Sequence, residues 1–149
     1  MRLRLLMLFA FAAMVVTPFA LAWAGRPTSP APKAATRTGP RAAWAETVSK
    51  STWLAYSGYC WKTVCADYLP PASRPDLPTI AIARGTVVRL HFAFRPSKIT
   101  VTSLGATTSQ KTLTPAQVVA WKPLAAGVFT LSLKGALGTV GYAAKVRFR

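Results

Sequence analysis

Two cysteines, Cys60 and Cys65, are the residues whose type and spacing most directly suggest chemistry. Four residues separate them, whereas a thioredoxin-like redox site has two, so the spacing argues against a redox function. In a protein outside the cytoplasm, an even pair of cysteines is most simply a disulfide. We therefore predict a Cys60–Cys65 disulfide, whose short loop is worth about 2 kcal/mol in the chain-entropy model.

The remaining residues that could act in catalysis or bind a metal are few. His91 is the only histidine, and Glu46, Asp67 and Asp76 are the only carboxylates. A glycosidase needs two carboxyl groups across one bond, and the Gly-x-Ser-x-Gly turn of a serine hydrolase is missing from the sequence. Two thiolates and one histidine leave a zinc site one ligand short. We therefore expect no enzymatic activity, no metal and no cofactor, and we expect His91 to lie on the surface.

Large aromatic residues crowd the segment around the two cysteines. If their rings are exposed, they could stack on sugars, which would make the protein a carbohydrate-binding module. If they are buried, they pack around the disulfide and cover one end of the fold. We favour burial because large aromatic side chains usually dominate cores. The candidate stacking residues are Trp53, Tyr56, Tyr59 and Trp61.

The charge of the chain is strongly unbalanced. It carries 19 Lys and Arg residues against three Asp and Glu, a formal net charge of +16. Such an imbalance attracts polyanions: anionic cell-wall polymers, lipid headgroups or extracellular nucleic acid. We predict association with an anionic wall polymer or membrane surface. The alternative is a solvated basic surface, because net charge favours non-specific binding rather than a dedicated site.

Residues 1–24 are typical of an export signal. Arg2 and Arg4 precede an apolar run over residues 5–16, and Ala22-Trp23-Ala24 offers small residues at the positions that a signal peptidase reads. The same stretch is just long enough to serve as an N-terminal membrane anchor instead. In either case the rest of the chain lies outside the cytoplasm, in the cell envelope or secreted.

Residues 25–43 form a segment rich in Pro, Ala, Thr and basic residues. Its apolar residues do not recur at a spacing that would give a helix or strand one buried face, and proline keeps such a segment extended. We predict a semi-rigid linker between the membrane or wall and the folded part. Its basic residues, from Arg26 to Arg41, could bind anions without any help from the fold.

The region that follows residue 79 changes to short alternating runs. Apolar and polar residues alternate over Val88–Phe94, Ile99–Val101, Phe129–Leu133 and Tyr142–Phe148, which is the period of half-buried strands. Gly135–Gly138 lies between the last two runs and indicates a hairpin. Short strands with Gly and Pro turns, without a long helical pattern, predict an all-β protein. We expect an antiparallel immunoglobulin-like β-sandwich in one domain over residues 44–149.

The same alternation places basic side chains on the outer faces of the strands. If the last two runs are neighbouring strands, Lys134, Lys145 and Arg147 gather on one outer sheet face with few acids to cancel their charge. We predict that this face contributes to binding the anionic ligand. The full set of candidate anion contacts is Arg89, Lys134, Lys145, Arg147 and Arg149.

Three features together resemble a group of small exported bacterial proteins. They are Tyr59-Cys60-Trp61 followed by Cys65-Ala66-Asp67, a proline-rich connection, and the closing run Gly-Tyr-Ala-Ala-Lys-Val-Arg-Phe. Proteins of that group carry a Tyr-Cys-Trp…Cys segment before an immunoglobulin-like β region. The resemblance covers about Ser57 to Arg149, and it implies export, a disulfide and a β-sandwich. It implies no particular activity.

Overall fold

The computed structural model describes residues 25–149. The predicted export signal at residues 1–24 lies outside the described residues. Within residues 25–149 no helix has both the length and the apolar character that crossing a membrane would require. The described chain is built of strands, with a 3-10 turn at Pro71–Ser73.

The strands are numbered here in chain order. They are β1 (Trp44–Glu46), β2 (Ser51–Trp53), β3 (Ala55–Trp61), β4 (Val64–Asp67), β5 (Thr79–Ile82), β6 (Val88–His91), β7 (Lys98–Leu104), β8 (Thr108–Leu113), β9 (Val118–Trp121), β10 (Gly127–Gly135) and β11 (Gly138–Phe148). The small sheet has the order β2-β1-β6-β9. The large sheet has the order β4-β3-β11-β10-β7-β8, with β5 pairing to β11.

The two sheets form a sandwich, which confirms the predicted all-β fold. Strands β5 to β11 follow the immunoglobulin-like connectivity: β6 pairs with β9 in the small sheet, and β10 lies between β7 and β11 in the large one. One edge of β11 is shared, because β3 pairs antiparallel with its first half and β5 pairs parallel with its second half. The N-terminal strands β1 to β4 thus extend both sheets.

The core forms because period-two alternation turns one side of each strand inward. Phe129, Leu131 and Leu133 of β10 are buried, and the intervening residues of that strand are not. Across the sandwich, Trp121 of β9 packs on Phe129 with ring centroids 4.6 Å apart. The predicted alternation of these runs is therefore confirmed.

The hairpin between β10 and β11 closes where the sequence predicts it, with Gly135 opposite Gly138. Gly138 has a φ of +140°, and a Cβ atom there would come within 2.0 Å of the Cys60 carbonyl oxygen. Because only glycine fits this close approach, Gly138 lets the hairpin lie directly against β3. The Lys62 amide donates a hydrogen bond of 2.6 Å to the Leu137 carbonyl, which joins this turn to the turn between β3 and β4.

The segment 25–43 differs from the predicted tether. It has no helix or strand, as its composition indicates, but it packs on the sandwich rather than extending away from it. The Trp53 indole Nε1 donates a hydrogen bond of 2.8 Å to the Ser29 carbonyl, and the Arg26 guanidinium lies 5.0 Å from the Trp53 ring. The segment is therefore part of the folded domain.

Candidate functional site

The predicted Cys60–Cys65 disulfide is confirmed. The two residues lie directly opposite each other in the β3–β4 hairpin, with Cα atoms 4.0 Å apart. Both are exposed, because their neighbours Tyr59 and Trp61 take the buried side of β3. The bridge therefore reinforces an existing hairpin on the outer face of the large sheet.

A group of basic residues lies at the same end of the large sheet. Lys134 of β10 is directly opposite Lys98 of β7, and both side chains are exposed. Lys62 lies in the β3–β4 turn beside Leu137 of the next hairpin. Arg95 follows Phe94, whose ring lies 5.0 Å from the Trp61 ring at this end of β3. We call these four basic residues, together with the exposed Leu137, the hairpin end; it consists of Lys62, Arg95, Lys98, Lys134 and Leu137.

The three acidic residues of the chain lie elsewhere. Glu46 accepts a hydrogen bond of 2.7 Å from His91 Nε2 on the small sheet. Asp76 forms a two-pronged ion pair with Arg74, whose hydrogen bonds lower the pKa of the Asp76 carboxyl. Asp67 lies at the end of β4 that is remote from the Lys62 turn. The hairpin end itself therefore contains no acidic residue, while Asp67, two residues beyond Cys65, is exposed on the same β3–β4 hairpin as Lys62.

The predicted basic sheet face is only partly assembled. Lys134, Lys145 and Arg147 do lie on the same outer face, but Lys145 pairs with Val128, whereas Lys134 pairs with Thr139. About six strand positions separate the two lysines, which is roughly 20 Å. Asp76 lies near enough to Lys145 for the lysine charge to lower its pKa further. Lys145 and Arg147 therefore form a second basic region, apart from Lys134.

The two other candidate anion contacts also lie away from Lys134. Arg89 is on the small sheet, where the register places it directly opposite Glu46. Arg149 donates hydrogen bonds to the carbonyl oxygen of Ala81 and to the Ser49 hydroxyl. The five predicted residues therefore do not form one cluster: Arg149 follows Lys145 and Arg147 at the end of β11, whereas Lys134 and Arg89 lie apart. Sequence reasoning missed Lys98, which the pairing of β7 with β10 brings to Lys134.

The four candidate stacking residues are all buried. Tyr56, Tyr59 and Trp61 point into the core from β3, and Trp53 lies on the outer side of the small sheet beneath the segment 25–43. They do not form one aromatic surface. Their burial agrees with the expectation that these rings pack within the fold, but Trp53 and Tyr56 line a cavity beneath the segment 25–43 rather than packing around the disulfide.

Four tyrosine hydroxyls hold the N-terminal segment to the sandwich. The bonds are Tyr56 Oη to Pro40 O (2.7 Å), Tyr142 Oη to Arg41 O (2.6 Å), Thr36 N to Tyr59 Oη (3.0 Å) and Ala35 N to Tyr68 Oη (3.0 Å). Burial raises the pKa of Tyr56 and of Tyr142 well above the usual tyrosine range, since their ionised forms would lose contact with water. The sequence shows these tyrosines but gives no sign of their partners.

The outer face of the small sheet carries a buried polar cluster. His91 stacks on Trp44 with ring centroids 4.8 Å apart and an interplanar angle of 5°. His91 is only 5% exposed, so the predicted surface position is wrong: its strand phase does place it outside the core, but the chain covers that face. Two buried atoms of this cluster, Trp44 Nε1 and His91 Nδ1, have no hydrogen-bond partner.

A cavity of about 610 Å³ lies between the N-terminal segment and this aromatic face. Trp44, Trp53, Tyr56 and Phe92 line it from the sandwich side. The residues that line it from the segment include four basic ones: Arg26, Lys33, Arg37 and Arg41. The cavity therefore combines an apolar floor with a cationic margin.

Comparisons with protein-family models, with curated proteins and with solved structures find no match to this chain. The resemblance to small exported bacterial proteins therefore stays a prediction. Within residues 25–149 no three His, Cys, Asp or Glu side chains lie close enough together to hold a metal ion. The site must accordingly be interpreted from its own charges, contacts and burial.

Proposed function

We propose that this protein is a non-catalytic, exported cell-envelope domain whose hairpin end adsorbs to an anionic polymer or membrane surface. The observation that carries the proposal is the Lys98–Lys134 pair, two exposed lysines directly opposite each other on neighbouring strands. Like charges in this arrangement destabilise a sheet by roughly 0.2–1 kcal/mol. An anionic ligand that bridges the two ammonium groups would turn that repulsion into attraction.

The surroundings of the pair support the same function. Lys62 and Arg95 add two more positive charges, and two of the three acidic residues, Glu46 and Asp76, are held elsewhere by His91 and Arg74. A wall polymer or a membrane presents many negative charges in a row, which matches a spread group of cations better than it matches a deep pocket. Leu137 is 49% exposed in the middle of this group, so it can contribute apolar contact with lipid.

The test compares three variants that each lose two positive charges. They are Lys98→Gln/Lys134→Gln at the hairpin end, Lys145→Gln/Arg147→Gln at the far end of the same face, and Lys111→Gln/Lys122→Gln, two exposed lysines outside both basic regions and outside the N-terminal segment. Binding is measured by co-sedimentation with vesicles that contain anionic lipid, and by competition with soluble polyphosphate. Salt is varied because screening weakens contacts between exposed charges.

We expect the first variant to lose the most affinity. Each basic side chain near an anionic membrane is worth about 1 kcal/mol, so its loss of two charges corresponds to roughly a thirtyfold weakening at low salt. Similar losses in all three variants would show that only the net charge matters, and would overturn the assignment to the hairpin end. Binding that is absent, or insensitive to salt in the wild type, would overturn the electrostatic function itself.

Leu137→Ser separates the two kinds of anionic surface. The change removes apolar contact and leaves every charge in place. Weaker adsorption to vesicles with unchanged competition by polyphosphate would favour a membrane, because only lipid offers an apolar layer. Equal behaviour of Leu137→Ser and the wild type on both ligands would favour a polymer.

A further inference from the structure

The cavity under the N-terminal segment has the size of a small-molecule site. Its volume of about 610 Å³ falls within the range of roughly 300–1,000 Å³ that is typical of ligand pockets. It is also held in shape, because tyrosine hydroxyls fix the segment at Thr36, Pro40 and Arg41. A cavity that is already formed costs a ligand little ordering of the protein.

The floor of the cavity is aromatic. Trp44, Trp53 and Phe92 line it from the sandwich side. Their rings offer mainly apolar surface, so a ligand here would place an apolar body on the floor.

The margin of the cavity selects for negative charge. Lys33, Arg37 and Arg41 line it and are exposed, and Arg26 lies over the Trp53 ring. Among the described residues that line this cavity none is acidic. The potential at its mouth is therefore positive, and it sits directly beside an apolar interior.

We propose that this cavity binds an amphipathic anion, a molecule with an apolar body and one carboxylate or phosphate group. The apolar body would lie on Trp44, Trp53 and Phe92, and the anionic group would meet the basic margin at Arg37 and Arg41. This site is separate from the hairpin end and does not depend on the function proposed for it. The same chemistry is found in a free fatty acid and in the headgroup and chain of an acidic phospholipid.

The first experiment uses probes of equal chain length and different charge. Decanoate, decylammonium and decanol are titrated below their aggregation limits into the chain that begins at Gly25, with tryptophan fluorescence and calorimetry as readouts. We expect saturable one-to-one binding of decanoate, at least tenfold tighter than that of the other two. Equal affinity for decanoate and decylammonium would overturn the proposal, because charge selection would then be missing.

Two matched charge variants locate the binding. Arg37→Gln/Arg41→Gln should weaken decanoate binding at least tenfold, because it removes two cations at the margin without touching the backbone carbonyls that the tyrosines hold. Lys98→Gln/Lys134→Gln loses the same charge at the hairpin end and should bind decanoate as the wild type does. If both variants lose affinity equally, the effect is one of net charge and the cavity is not the site.

Two further measurements address the interior and the source of the ligand. Ala93→Phe adds a ring at an exposed residue that lines the cavity and should block decanoate while the thermal transition is retained. Unchanged binding by this variant would overturn the proposed location. Dihexanoyl phosphatidate, a soluble acidic phospholipid, is compared with decanoate. Tighter binding of either one identifies its class as the ligand, whereas failure of both as monomers overturns the proposal even if vesicles still bind.

Discussion

The two outer faces of the sandwich differ in whether they are covered, although strand alternation produces both in the same way. On the small sheet, one row across the strands contains Trp53, Trp44 and His91, and the N-terminal segment packs on its Trp53 end. On the large sheet, the corresponding row contains Lys98, Lys134 and Thr139 and ends at the disulfide-bonded Cys60. This row is exposed to solvent.

Alternation alone therefore places a residue outside the core without deciding whether it meets solvent. The aromatic row would expose a large apolar area, so burying it under the segment 25–43 gains hydrophobic free energy. The lysine row gains nothing from a cover, since buried ammonium groups would lose their hydration. The comparison predicts that the small-sheet face depends on its cover for stability, whereas the large-sheet face is free to serve binding.

The largest effect should come from removing the cover. A chain that begins at Arg41 loses the partners of Tyr56 and Tyr59 and exposes Trp44 and Trp53. Hydrogen bonds contribute about 1 kcal/mol each, so with the lost apolar burial we expect at least 3 kcal/mol of destabilisation. Urea denaturation measures it, and Lys33→Gln in the full chain serves as the control. A shortened chain as stable as the control would show that the segment is only a linker.

Alkaline pH should loosen the same cover. Burial raises the pKa of Tyr56 and Tyr142 above the unfolded value of 10.0, so their contribution is complete below pH 10 and is lost as pH rises further. Each tyrosine accounts for a slope of up to about 1.4 kcal/mol per pH unit above pH 10. We expect Tyr142→Phe to flatten the fall in stability measured by urea denaturation between pH 10 and 11. An unchanged slope would contradict the assignment.

On the open face, removing the disulfide should have a moderate effect. Cys60→Ser/Cys65→Ser should lower the free energy of unfolding by about 2 kcal/mol, because the bridge closes only a short loop. The domain should stay folded, since the β3–β4 hairpin is held by its own ladder. Calorimetry with and without reductant gives the value, and the double variant should no longer respond to reductant. Unfolding of the variant at room temperature would mean that the bridge is a core element.

The smallest effect concerns the lysine row itself. Lys98→Gln should be neutral or stabilise the protein by up to about 1 kcal/mol, because it relieves the repulsion from Lys134. The gain should fall as salt is added. Lys111→Gln, on the neighbouring edge strand, is the matched control. Marked destabilisation by Lys98→Gln would show that Lys98 is a structural residue, and would remove the main support for the proposed function.

The fold was predictable where it depends on local patterns. Phe129–Leu133 and Tyr142–Phe148 alternate clearly, Gly135–Gly138 marks their hairpin, and two cysteines in a chain predicted to be exported suggest their own bridge. β8 (Thr108–Leu113) was missed because it is a polar edge strand in which only Leu113 is buried.

The candidate site was less predictable because it depends on contacts between distant segments. Lys98 and Lys134 meet through the register of β7 and β10, which no local pattern encodes. The segment 25–43 has no periodic apolar face, since it is held by its backbone. Its carbonyl groups accept hydrogen bonds from tyrosine hydroxyls, and its amide groups donate hydrogen bonds to them. A proline-rich composition therefore predicted its irregular backbone correctly and its detachment incorrectly.

The shared edge of β11 also sets the order in which this chain can fold. Its two neighbours on that edge, β3 and β5, precede it by most of the domain, and the Tyr142 hydroxyl reaches back 101 residues to the Arg41 carbonyl. Such long-range pairings make folding slow, because the conformational entropy of closing a long loop is lost before the contacts that compensate for it can form. The large sheet therefore stays incomplete until β11 has been synthesised. The proposed export would make use of this delay, because a chain that still lacks its large sheet can be threaded through a membrane pore.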